Sequence, residues 1–191
     1  MSIAKDITYI SIFFWLLPPF RQYRGSFFYF FLLIAISDPL ALLFVDVIGL
    51  NPDILHVFLG VMLFYSIDIK SLDFKENKFF HITFISGIIV LVVIISNLSI
   101  ILFLLHLSIL SKLIKLLISK VYKDQELNIF YFVIVFYELS VVLNLLVYFS
   151  ASEVWMFIFY TTLTFQILSA IFFTIFTEKS DFLILKLKSP D

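Results

Sequence analysis

Residues 79–119 run for 41 positions with only two charged side chains, Lys112 and Lys115. As one helix this run would be about 60 Å long at roughly 1.5 Å per residue, twice the thickness of a bilayer's hydrocarbon. The chain must therefore turn within it, and Ser96-Asn97 is the polar place to do so. The rest of the chain is built alike. Of its 191 residues, 62% are hydrophobic and 14% charged, with a mean hydropathy of +1.12. A water-soluble fold has too few polar groups here to cover that much apolar surface, so lipid must be part of the solvent. No stretch alternates strictly with a period of two, which argues against a membrane β-barrel and leaves helices to satisfy the backbone in hydrocarbon.

Polar punctuation divides the chain into seven apolar spans, at 7–20, 26–45, 52–68, 79–96, 98–118, 127–149 and 153–177. Asn51-Pro52-Asp53 is a helix-start signal, with Asn51 as cap and Pro52 in the first turn. "SASE" at 150–153 reads as a short hairpin before the last span. The first span is short and stops at Pro18-Pro19, so six crossings are the alternative. No small-residue cleavage site follows it, and it is not read as a removable signal. With seven crossings, Lys5 alone falls on one side. Arg21, Arg24, Lys70, Lys75, Lys78, Lys112, Lys115, Lys120, Lys123, Lys179, Lys186 and Lys188 fall on the other. The positive-inside rule then puts the N-terminus outside and the C-terminus in the cytoplasm. The expectation is an all-α polytopic membrane bundle, one domain over 1–191, in a bacterial inner membrane.

Two acids stand at mid-depth, Asp38 in the second span and Glu138 in the sixth. A charge at a helix centre is unfavourable by roughly 2.5–3.5 kcal/mol on insertion scales, so such residues turn toward the bundle interior or a cavity. Their expected partners are each other, His106, Asn144, Gln166 and backbone carbonyls. Pro39 cannot donate to the carbonyl of Ala35, and a kink there would leave carbonyls free beside Asp38. That is either a proton or cation site of the broken-helix kind or a satisfied structural kink. Thr162, Gln166 and Ser169 share one face of the last span, and Tyr137, Asn144 and Tyr148 share one of the sixth. Both stripes read first as interhelical hydrogen bonding and second as the wall of a polar cavity.

Lys112, Lys115, Lys120 and Lys123 gather on one side of the fifth span's end, where they read as contacts to anionic head groups or to a partner protein. "FLILKLK" near the C-terminus reads as an edge strand or a short amphipathic contact. Phe27–Phe31 and Trp155 read as lipid-facing or interfacial.

With no cysteine, disulfides and thiolate chemistry are excluded. His56, His81 and His106 lie at different depths, which disfavours a metal site, and no cofactor is expected. A net charge of −1 gives no reason to expect nucleic-acid binding. No H-E-x-x-H, G-x-S-x-G or phosphate loop occurs. Seven helices with an outside N-terminus are also the outline of microbial rhodopsins and G-protein-coupled receptors. The last span, however, holds no lysine for a Schiff base, and no D-R-Y or N-P-x-x-Y is found. The Pro-Gln pair of PQ-loop transporters is missing too. The leading expectation is a non-enzymatic membrane subunit, a sensor, anchor or scaffold for other proteins or for itself. The alternatives are a small proton- or cation-coupled transporter or channel using Asp38 and Glu138, and an intramembrane enzyme acting on lipid.

Overall fold

A computed structural model describes residues 2–49, 51–67, 78–94, 97–150 and 155–187. Lys70, Lys75, Lys188, Ser96 and the expected hairpin around 151–153 lie outside these residues, as do the side chains of Lys5, Lys78, Tyr148 and Trp155. The chain forms helices α1 (Ser2–Trp15), α2 (Pro18–Arg21), α3 (Phe28–Leu43), α4 (Pro52–Ser66), α5 (Lys78–Ile94), α6 (Leu98–Asp124), α7 (Ile129–Ser150) and α8 (Trp155–Ile175). Four helical segments are long and apolar enough to cross a membrane: Phe28–Ile48, Leu98–Asp124, Ile129–Val147 and Met156–Ile175. The apolar stretches Ile7–Arg21, Pro52–Ser66 and His81–Val92 are shorter. The protein is thus a helical integral membrane protein.

Local chemistry sets several of the helix ends. Asn51 caps α4, its Oδ1 accepting from the Asp53 N–H at 2.9 Å, with Pro52 in the first turn. Asn97 caps α6 in the same way, accepting from the Ser99 N–H at 3.1 Å. Helix α3 continues through Pro39 to Leu43. The helix widens one turn later into a π-helical turn, Phe44–Ile48, and stops at Gly49, whose φ of 69° suits a residue without Cβ.

Six helices close into a ring in the order α1, α3, α4, α6, α7, α8 and back to α1, while α5 packs outside it against α6. Helix α5 also touches α4, where Phe64 and Phe84 stack 4.7 Å apart and His81 Nδ1 lies 3.2 Å from the Tyr65 hydroxyl. On its other faces Ile82, Ile85, Ile89 and Ile94 are exposed.

At one end of the ring the core is aromatic. Trp15, Phe27, Phe30, Phe31, Phe130 and Phe173 are buried there together with Ile109 and Leu113. The "FFYFF" segment expected to face lipid is therefore split. Phe27, Phe30 and Phe31 supply the core, and Tyr29 faces outward.

The same end carries a feature outside the all-α expectation. A two-stranded antiparallel ribbon pairs β1 (Glu126–Asn128) with β2 (Ile184–Lys186), in the register Leu127 to Leu185. The sixth span accordingly begins its helix at Ile129, and the "FLILKLK" tail forms the second strand of this pair. Arg21, Arg24, Lys120, Lys123, Lys179 and Lys186 belong to this ribbon end, to which Arg21 is tied by an Nε bond of 3.2 Å to the Ile175 carbonyl.

Lys112 departs from the surface role expected of it. Its ammonium turns inward, donates to the Phe64 carbonyl at 2.9 Å and lies 4.6 Å from the centre of the Phe64 ring. The reason is position: the last carbonyls of α4 have no partner within their own helix, and a cation at a helix C-terminus is favourable. Lys112→Met keeps the stem and removes the charge. It should cost about 1 kcal/mol in thermal unfolding in mild detergent. Lys115→Met, at an exposed position, should be neutral within a few tenths of a kcal/mol.

Candidate functional site

The inward faces of the ring helices follow three- and four-residue spacings. On α4 the inward face carries Asp53, His56, Gly60 and Leu63; on α6, Ser99, Leu102 and His106; on α1, Thr8, Ser11 and Trp15. Along α1 and α4 the residues are small or polar toward one end of the bundle and large toward the ribbon end, at Trp15 and Leu63. Small side chains cannot fill the centre of a six-helix ring, so a cavity of about 430 Å³ remains there. All six ring helices line it and α5 does not. It reaches the first turns of α4 and α6 at Asp53 and Ser99 and ends at Trp15, Leu63 and Tyr137. Beyond lies the aromatic core, where Trp15 and Tyr137 sit 4.6 Å apart and Phe31 and Phe173 4.7 Å apart.

Asp38 borders this cavity from α3 and is accessible because of it. Its carboxyl makes no hydrogen bond among the described residues, and His56 of α4 lines the same cavity. The neighbouring Ser37 donates to the Ile34 carbonyl at 2.9 Å, a bond within its own helix.

Glu138 is fully buried and stands behind the wall. Its Oε1 lies 2.6 Å from Nδ1 of His106, and His106 lines the cavity. At that distance the two side chains share a short hydrogen bond. With Nδ1 so engaged, Nε2 is the nitrogen left for other contacts. The second oxygen of Glu138, Oε2, is buried with no hydrogen-bond partner among the described residues. An unpaired buried carboxyl oxygen costs free energy. Tyr137 is within electrostatic reach of both Glu138 and Asp38 and also lines the cavity. The two acids therefore do not pair with each other; His106 and Tyr137 stand between Glu138 and the space that Asp38 faces.

The other candidates divide between glue and wall. Thr162 donates to Asn144 Oδ1 at 2.5 Å and also contacts the Ile158 and Phe159 carbonyls, which ties α8 to α7. Gln166 lines the cavity and reaches Ser140 Oγ at 3.4 Å. Ser169 is buried and bonds the Phe165 carbonyl of its own helix at 2.9 Å, away from the cavity. Lys115, Lys120 and Lys123 stay exposed along the far end of α6, with Lys120 3.5 Å from Asp124.

Asp53, Ser11, Ser37 and Ser99 are cavity residues that reading the spans as hydrophobic blocks missed. The signal was present on α4, where Asp53, His56, Gly60 and Leu63 are spaced three, four and three apart, an inward helical face. No group of three or more His, Asp or Glu able to hold a metal ion occurs among the described residues. Comparison with protein-family models, with curated proteins and with solved structures finds no match for this chain.

Proposed function

We propose that the protein is a small carrier that moves a cationic or protonatable solute across the membrane in exchange with protons, using the ring cavity as its binding site. One observation carries this reading: a cavity of about 430 Å³ in a membrane bundle, with Asp38 on one wall and His106, backed by buried Glu138, on another. Ionisable groups kept inside a membrane mark ion and proton paths. Asp38 and Asp53 both line the cavity, and neither Lys nor Arg does so among the described residues, so its field favours a cation. Proton and solute compete for Asp38, and His106 passes protons between the cavity and Glu138.

In this reading all seven apolar spans cross a bacterial inner membrane with the N-terminus outside, and the short ones tilt or thin the bilayer locally. The cavity then opens outward, and the aromatic core closes it toward the cytoplasm.

Asp38→Asn keeps the shape and removes the charge. In proteoliposomes with an imposed pH gradient, it should lower proton-driven exchange of a small organic amine at least about tenfold, the equivalent of one charge-assisted bond. Wild-type protein that leaves the amine and the gradient untouched would refute the carrier.

A second reading has its own support. The last turns of α6 run to Asp124 and present Lys120, Lys123 and an 81%-exposed Tyr122. This surface suits a partner protein and fits a sensor or scaffold subunit. Extraction in mild detergent should then give a mass above that of the chain and its own oligomers; a clean homo-oligomer counts against it.

A further inference from the structure

The ribbon end of the bundle carries a second, smaller recess of about 160 Å³, walled by residues 21–25 and 177–179. Its geometry is strongly determined. Gln22 is 2% exposed and donates from Nε2 to the carbonyls of Phe173 at 2.8 Å and Phe176 at 2.7 Å. These bonds complete the end of α8, where carbonyls lack helical partners. The Gly25 N–H donates to the Gln22 carbonyl at 2.8 Å, and a Cβ on residue 25 would stand 2.9 Å from that oxygen, so a side chain does not fit. Between them Arg24 is held at a φ of 65°. A left-handed conformation costs a residue with a side chain about 1–2 kcal/mol, and such strain gathers at binding sites.

The wall is net basic, with Arg21, Arg24 and Lys179 set against the single acid Glu178. Arg21, Arg24 and Lys179 form no ion pair with any described residue. The one acid in the wall, Glu178, has both oxygens occupied. Oε1 accepts from the Ser26 N–H at 3.2 Å and its hydroxyl at 2.9 Å, and Oε2 accepts from the Tyr131 hydroxyl at 3.4 Å. Beside the recess, Phe20 is 81% and Tyr23 64% exposed. Exposed aromatic rings next to unpaired cations at helix ends are the side chains of a membrane–water boundary.

We infer that this recess binds the phosphate of an anionic lipid head group, with Arg24 and Lys179, neither of them in an ion pair, as its cations and Phe20 and Tyr23 against the acyl region; the Arg24 guanidinium rests 5.4 Å from the centre of the Tyr23 ring. A soluble phosphate ester shares the chemistry of the phosphate but has no use for the two exposed rings.

The test counts lipids bound to the purified full chain by native mass spectrometry in mild detergent, titrating phosphatidylglycerol against phosphatidylcholine with the same tails. Phosphatidylglycerol should bind in preference. Arg24→Gln with Lys179→Gln should weaken it about 25-fold, at about fivefold per cation. Arg21 is left in place because it bonds the Ile175 carbonyl. The unfolding temperature should not move, since Arg24 and Lys179 are exposed. Lys120→Gln with Lys123→Gln removes the same formal charge at this end of the bundle but outside the recess, and should weaken binding by no more than about twofold. Equal binding of the two lipids, or equal loss in both double variants, overturns the site. Displacement of the lipid by millimolar glycerol phosphate overturns the lipid assignment in favour of a soluble ester.

Discussion

Phe31→Ala should destabilise the bundle by about 3 kcal/mol, read as loss of unfolding free energy in mild detergent. Phe31 is fully buried and meets Trp15, Phe27, Phe30, Phe130 and Phe173 at ring distances between 4.7 and 6.5 Å. Substitutions of this kind in water-soluble cores cost about 3–5 kcal/mol, as lost transfer free energy plus the cavity left behind. Lipid tails are as apolar as the ring, so the transfer part is small here and packing dominates. The lower end of the range follows. Phe157→Ala removes the same group from a position that is 72% exposed and should change stability by less than about 0.5 kcal/mol. Equal effects at the two positions would mean that the aromatic core is not packed as described. The substitution also removes part of the barrier between the cavity and the ribbon end, so Phe31→Ala should leak protons in liposomes.

His106→Ala should cost about 2 kcal/mol, and adding Glu138→Leu should recover most of it. The single change leaves both carboxyl oxygens of a fully buried Glu138 without a partner, since Oε2 already lacks one. Stranding a buried polar group costs about 1–3 kcal/mol, whereas replacing both partners by apolar groups is close to neutral. Hydrogen bonds between membrane helices couple by about 0.6 kcal/mol on average, because the unfolded helices also find partners in lipid. A double-mutant cycle therefore separates the two explanations. Recovery in the double variant identifies the stranded acid as the source of the loss. Additive losses would show that His106 matters for its bulk alone.

The helical membrane class was legible because lipid imposes a simple rule on composition. The ends of the helices fall within a few residues of the polar breaks, and the Asn51 cap stands where its Asn-Pro-Asp signal puts it. Three features were not legible, each for a physical reason. Pro39 reads as a kink, which gives no sign of the π-helical turn at Phe44–Ile48 that follows it. Lys112 reads as a surface charge, because a span-by-span view cannot show that the end of α4 lies beside it. The pairing of Glu138 with His106 depends on the relative height of α6 and α7, which no single-helix pattern contains. It was one of several partners that matched in depth. The cavity itself was half written in the sequence. The small and polar residues at one end of the inward stripes of α1 and α4 predict a space, but only the closed ring shows that they share it.

On the carrier reading, polar side chains on the inward helix faces meet a water-accessible space inside the ring, while their neighbours along the same helices face lipid. The chain has no cysteine, so single substitutions report without background. Ser37→Cys lies on the cavity wall, and Phe136→Cys lies beside cavity-lining Tyr137 on an outward face that is 52% exposed. A membrane-impermeant thiol reagent should label Ser37→Cys from one side of the membrane and leave Phe136→Cys unlabelled from both. Labelling of Phe136→Cys, or an inert Ser37→Cys from either side, would contradict the account.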